Sequence, residues 1–197
     1  MDITEVAERC KNKTKEQQDV IKYFLLDRGC LTSVISDNQY AKMVAKKRDS
    51  LKLRERALQS IGLDEDEINE IPPACFEGYH FKNSYWGRRA DGIWVTSKYQ
   101  VAWLFFSSTQ LYIYNCIFDM TADGKEEETR EFFYKDVTSL STATKIEENK
   151  EKNTTIENSV FRLVVPGASI EVDLNGVKDS SSIIQAMKQK LREKKNS

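Results

Sequence analysis

Thr109-Gln110-Leu111-Tyr112-Ile113-Tyr114-Asn115-Cys116-Ile117-Phe118-Asp119-Met120 is the stretch on which the fold turns. Tyr112, Tyr114, Cys116, Phe118 and Met120 alternate with Leu111, Ile113 and Ile117, a period of two that predicts a strand with apolar side chains on both faces. Such a strand needs at least partial cover on each side. Upstream, Tyr99 to Ser107 is equally β-prone, and downstream Asp123-Gly124 supplies a turn into a returning strand over Glu127 to Tyr134.

Further out, Cys75 to Phe81 reads as a short strand, followed by a polar connection through Gly87 and Asp91-Gly92 in which Ile93 to Thr96 adds a small strand. Val137 to Ile146 predicts a more polar strand. Glu147 to Asn153 has no apolar residue and predicts a flexible hairpin loop. Val160 to Val165 and Ile170 to Leu174 flank the turn pair Pro166-Gly167, with Ile170, Val172 and Leu174 alternating against Ser169, Glu171 and Asp173. Asp179 then caps a helix bearing Ile183, Ile184, Met187 and Leu191, whose later residues Lys188, Lys190, Arg192, Lys194 and Lys195 suit the dipole of a helix C-terminus. About seven strands joined by short connections are expected to be antiparallel, with the terminal helix as a lid.

The N-terminal third is built differently. Thirteen of the twenty aromatic residues fall between Phe76 and Phe118, whereas Tyr23, Phe24 and Tyr40 are the only ones before Pro72-Pro73. Thr14-Lys15-Glu16-Gln17 is a capping box that opens a helix over about 15 to 28, carrying Val20, Ile21, Phe24 and Leu25 until Gly29. Ser36-Asp37-Asn38-Gln39 repeats the box and opens a second helix with Tyr40, Met43, Val44, Leu51, Leu58 and Ile61 as its stripe. At about 25 residues it should run roughly 37 Å and pair with the first as a hairpin. Asp64 to Glu67 caps one short helix with Ile68 and Ile71, which Pro72-Pro73 stops. The expected organisation is α+β: a helical hairpin region over 1–71 and a strand-rich domain over 75–197.

Composition places no strong demand on partners. A formal net charge of -1 and 40% hydrophobic residues describe an ordinary globular chain. No basic n-region and apolar core follow Met1, and the longest apolar run, Val101 to Phe106, is far short of the roughly 20 residues that span a bilayer, so a cytoplasmic location is expected. Cys10, Cys30, Cys75 and Cys116 are widely spaced and His80 is the single histidine, so zinc-ligand spacing is absent and reduced thiols are expected. Phosphate-binding glycine loops, a nucleophile elbow and an EF-hand loop are also absent, which points to a non-enzymatic protein without a cofactor or metal. His80 has no identifiable partner for acid–base work.

Three passages carry a resemblance. Gln110-Leu111-Tyr112-Ile113-Tyr114 is similar to a central strand of the bacterial PH-like and GRAM-like domains of the pleckstrin-homology superfold. Phe133-Tyr134-Lys135-Asp136-Val137-Thr138-Ser139-Leu140 resembles their aromatic, acidic and aliphatic I-x-Y-x-D-I passage. Phe161 to Leu174 followed by Asp179 to Leu191 resembles their last hairpin and helix. The resemblance covers roughly residues 75 to 195 and implies an antiparallel PH-like β-barrel or sandwich closed by the C-terminal helix. It also implies a binding or scaffold role toward a protein or peptide.

In lipid-binding members, basic residues around the first hairpin hold inositol phosphates; Lys82, Arg88, Arg89 and Lys98 occupy the equivalent region, and Tyr85 and Trp86 lie beside them. These six are the candidate anion or partner site. Arg88 and Arg89 are adjacent rather than alternating, so on a strand they would point to opposite faces. The alternative function is peripheral attachment to anionic lipid through basic helix faces. Its basis is the excess of five positive charges among Lys42, Lys46, Lys47, Arg48, Lys52, Arg54 and Arg56 against Asp49 and Glu55, together with the Lys188 to Lys195 tail. With no interleaved aromatic residue for base stacking, this basic stretch does not suit nucleic acid. The N-terminal helices are the expected surface for any homo-oligomer.

Overall fold

The computed structural model describes residues 3–26, 34–68, 72–149, 153–174 and 180–196. Its architecture is mixed α+β, with helices at both ends of the chain and three antiparallel sheets between them.

Helices α1 (Ile3–Arg9), α2 (Lys15–Leu25) and α3 (Asp37–Ser50) open the chain. Both capping boxes form: Thr14 Oγ1 accepts from Gln17 N–H while Thr14 N–H donates to the Gln17 side chain at 3.0 Å, and Ser36 and Gln39 repeat the exchange. Each box satisfies two donors that a bare helix start leaves open. The helix expected over 15 to 28 ends at Leu25, and Gly29 lies outside the described residues.

The long second helix is two helices. After α3 the chain turns at Leu51 and Lys52 and restarts as α4 (Leu53–Ile61), with Lys52 in the left-handed region at φ +48°. Neither glycine nor proline marks the break. Its reason is burial: the side chains taken inside are Leu53 and Ala57, not the Leu51 and Leu58 that continue the α3 stripe, so a single straight helix could not present them. Lys52→Gly is expected to stabilise the protein by up to about 1 kcal/mol, since a left-handed Cβ is unfavourable by that order; a lower urea midpoint than wild type would contradict this. The short helix expected after Asp64 is a single 3-10 turn, Glu65–Ile68, that buries Ile68, and Ile71 lies outside the described residues.

The strands are β1 (Ala74–Tyr79), β2 (Trp86–Arg88), β3 (Trp94–Thr96), β4 (Lys98–Phe106), β5 (Gln110–Asp119), β6 (Lys125–Phe133), β7 (Ser139–Asn149), β8 (Thr154–Val165) and β9 (Ala168–Asp173), followed by helix α5 (Ser180–Asn196). They form a four-stranded sheet in the order β1-β4-β5-β6, the two-stranded β2-β3, and a three-stranded sheet β7-β8-β9. Among the described residues nine strands therefore stand where about seven were expected, although the two larger sheets hold four and three. The expected barrel does not close among the described residues. Closure requires one uninterrupted ladder, and the 3-10 turn Tyr134–Asp136 breaks it between β6 and β7. The polar stretch after Ile146 is also less of a loop than its composition predicts, because β7 continues to Asn149 and β8 begins at Thr154, pairing Asn149 with Thr154. Asp179, the expected cap of α5, lies outside the described residues.

The chain divides into two compact units. One comprises Met1–Lys52, Tyr79–Tyr99 and Ile117–Lys125, the other Leu53–Gly78, Gln100–Cys116 and Glu126–Ser197. In the first, Val6, Cys10 and Ile21 join α1 to α2. Tyr40 from α3 stacks on Tyr23 at 4.8 Å and meets Phe24 edge-on at 5.2 Å. A Cβ at Gly87 would stand 3.0 Å from the Phe24 ring, so any larger residue there would have to push that ring aside.

In the second unit, Phe76, Leu104, Phe106, Leu111 and Ile113 face Phe161, Leu163, Ile170 and Val172, and Ile184, Met187 and Leu191 of α5 complete this core. Phe76 and Phe161 stack at 4.6 Å. The opposite face of β5 is covered as well. Arg56 of α4 grips Glu127 through two hydrogen bonds of 3.0 and 2.9 Å, and Tyr114 donates to the same carboxylate, which lays α4 along that face. β1 reaches β9 so closely that a Cβ at Gly78 would lie 2.9 Å from the Asp173 carbonyl oxygen.

Candidate functional site

The six residues singled out by sequence all lie in the first unit, on or beside the β2-β3 hairpin. Three Cα pairs, Trp86 with Thr96, Gly87 with Val95 and Arg88 with Trp94, hold it. Ser97 locks its open end, donating its N–H to the Tyr85 carbonyl at 2.9 Å and accepting the Tyr85 N–H at Oγ.

Each candidate has a definite environment. Trp86 is buried, with its indole N–H donating to the Phe81 carbonyl at 2.9 Å and its ring edge-on to Phe81, so it anchors the hairpin. Tyr85 is half-exposed; its hydroxyl accepts from Arg9 at 2.8 Å, and the same guanidinium lies 5.6 Å from the ring centre. That bond, with help from Glu5, raises the Arg9 pKa further. Arg88 is exposed and bends back to the Gly92 carbonyl at 3.2 Å, while Arg89 pairs with Asp91 at 2.8 Å. Arg89 Nε is enclosed, with no hydrogen-bond partner among the described residues. Lys82 stands exposed in the turn before β2. Lys98 opens β4, where its carbonyl accepts from His80 N–H and from Thr96 Oγ1. The structure thus brings Arg88 and Arg89 together at the hairpin tip but directs each toward an acceptor within that tip. Tyr85 is drawn to α1, and Trp86 is taken inside. His80 contributes backbone groups to the same junction, its carbonyl lying 2.9 Å from Thr96 Oγ1, whose single proton it shares with the Lys98 carbonyl at 2.8 Å.

Three side chains that the sequence did not single out hold this hairpin and the β5–β6 turn to the helices. Asp37 bridges two elements, accepting from the Tyr23 hydroxyl at 2.8 Å and from Ala90 N–H at 2.8 Å. Tyr40, 1% exposed, donates to the Thr96 carbonyl at 2.5 Å. Burial pushes its hydroxyl well above the ordinary 10.0, and Tyr79, Tyr23, Asp119 and Tyr99 add to the effect. Lys47 donates to the carbonyls of Asp119 and Ala122 at 2.7 and 3.0 Å, closing the turn after β5. Burial lowers its pKa, opposed by Asp123, Asp119 and Glu16. Asp37 had a visible signal, its place directly after the Ser36 cap. For Lys47 there was none, because one lysine in a basic run looks like any other.

The basic stretch from Lys42 to Arg56 is largely matched by acceptors. Lys46 pairs with Glu16, Lys47 with two carbonyls, Arg48 with Asp49, and Arg56 with Glu127. Among the described residues no group of three or more His, Cys, Asp or Glu side chains is arranged to hold a metal ion, and no helix is long and apolar enough to cross a membrane.

Among the described residues the large apolar side chains that remain exposed are Ile146 on β7 at 63%, Ile3 in α1, Ile93 at the hairpin tip and Phe133 at the end of β6. No protein-family model, no curated protein and no solved structure matches this chain.

Proposed function

We propose that the protein is a non-enzymatic binding or scaffold module of PH-like build that recognises a protein partner. The observation that carries this reading is the order of the larger sheets: four strands, then three, then one helix whose Ile184, Met187 and Leu191 seal the core shared by both. The β2-β3 hairpin is an addition inserted between the first and second strands of that scheme. The polar constellations support a structural use of their side chains, since Asp37, Tyr40 and Lys47 each fasten one element to another.

The partner-facing surface in this reading is the hairpin tip, where exposed Arg88 adjoins Ile93 at 50% exposure. Affinity capture with the full chain tests it against the double variant Arg88→Glu, Ile93→Asp. Loss of the captured protein with an unchanged melting temperature is expected. Turnover of phosphate, ester or glycoside substrates by the purified chain, or capture that ignores the double variant, would overturn the reading. Co-sedimentation with anionic but not neutral vesicles, weakened by salt, would replace it with membrane attachment.

A further inference from the structure

We infer that the outer edge of β7 is a self-association site at which a second copy of this chain adds its own β7 in antiparallel pairing, with Ile146 opposite Ile146 on a two-fold axis. The apolar side chains of α2 and α3, from Val20 and Ile21 to Tyr40 and Val44, are used within the first unit.

β7 and β8 share eleven Cα pairs, from Ser139 with Val164 to Asn149 with Thr154, whereas β9 pairs only with Val160 to Val165. Beyond Thr144 and Ser159 the described residues of the hairpin form a ladder of two strands, an arrangement that is marginal in water until a third strand joins it. β7 ends its sheet, and of its eleven residues only Leu140 is buried. Edge strands that stay single are protected by charge. β6, the edge of the other large sheet, follows that rule with Lys125, Glu126, Glu127, Glu128, Arg130 and Glu131. Over Ser139 to Thr144 β7 carries no charge, and just beyond that run Ile146 is 63% exposed, more than any other large apolar side chain among the described residues.

The sequence of β7 selects the occupant and the register. In antiparallel pairing, facing residues must present their backbone groups in the same sense, so two identical strands related by a two-fold axis centre on one residue opposite itself. Centring on Lys145 or Glu147 would oppose like charges, and centring on Thr144 would set Lys145 against Ala143 and Glu147 against Ser141, leaving neither charge a partner across the seam. Centring on Ile146 sets the two exposed isoleucines against each other and places Lys145 of each copy opposite Glu147 of the other. Both charges are already held on one face of the ribbon, where Lys145 lies 3.0 Å from Glu147 and 3.5 Å from Glu171. Burial works against the Lys145 charge, but these carboxylates outweigh it and raise its pKa. Pairing of this kind would join the two ribbons into one four-stranded layer.

Cysteine cross-linking of the full chain tests the register. Facing Cα atoms at about 4.5–5.5 Å are within reach of a disulfide, so Ile146→Cys should yield a covalent dimer on mild oxidation. Thr142→Cys, also exposed, should not, because eight residue rises would hold the two copies of that position about 27 Å apart. Sedimentation of the unmodified protein should show a concentration-dependent dimer that Ile146→Lys abolishes without lowering the melting temperature. Lys145→Glu should weaken the dimer, and adding Glu147→Lys should restore it. Failure of Ile146→Cys to cross-link, equal cross-linking at Thr142, or a dimer indifferent to Ile146→Lys would each overturn the proposal. A chain that stays monomeric yet captures its partner through the hairpin tip would sink the dimer and leave the binding reading standing.

Discussion

Phe161→Ala should destabilise the second unit by about 3–5 kcal/mol, the range for removing a fully buried aromatic side chain. Phe161 has no exposed surface and stacks against Phe76 at 4.6 Å with the rings 9° from parallel. It sits where side chains of the two larger sheets meet, so its loss leaves a void bordered by groups from both. With whole domains stable by only about 5–15 kcal/mol, such a loss should be visible as a large drop in the urea midpoint. Phe161→Leu keeps much of the volume and should lose clearly less. If the alanine variant melted within a degree of wild type, the stacked pair would not be the centre of this core.

Tyr40→Phe should cost the first unit about 1–3 kcal/mol, because it leaves the buried Thr96 carbonyl without the donor that now reaches it at 2.5 Å. Tyr40→Ala should cost more, about 3–5 kcal/mol, since the ring contacts with Tyr23, Phe24 and Tyr79 go as well. The hydroxyl also gives this site an alkaline signature. Its folded pKa lies well above 10.0, so its contribution is fully present below pH 10.0 and is lost as pH rises beyond that value, where the unfolded chain ionises first. The loss should approach about 1.4 kcal/mol per pH unit for this one group. Denaturant midpoints measured at rising pH should therefore fall less steeply in Tyr40→Phe than in wild type. Equal slopes would show that the hydroxyl exchanges its proton as freely in the folded state as in the unfolded one.

Local pattern was legible wherever the physics is local. Two capping boxes, at Thr14 and Ser36, form as the spacing of their residues requires. The alternation in β5 correctly announced cover on both faces, and the turn pairs Asp123-Gly124 and Pro166-Gly167 separate the strands they were expected to separate. The break at Lys52 left no mark, because a left-handed lysine is held by what buries Leu53 and Ala57, not by any preference of its own. The extension of β7 and β8 through a polar stretch was equally silent, since ladder hydrogen bonds hold residues whose composition reads as a loop.

The same division runs through the candidate site. Sequence could point to Lys82, Tyr85, Trp86, Arg88, Arg89 and Lys98 as a basic and aromatic neighbourhood, because they are close along the chain. It could not say that Trp86 turns inward, that Arg88 and Arg89 meet acceptors within their own hairpin, or that Asp37 reaches Ala90 from 53 positions away. Residue pattern alone placed most of the helices and strands, but not the break at Lys52, the short strand Trp86–Arg88 or the start of β8 at Thr154. Which strands end a sheet and which polar side chains are committed emerges in the folded chain, because those outcomes depend on groups brought together from distant parts of the sequence.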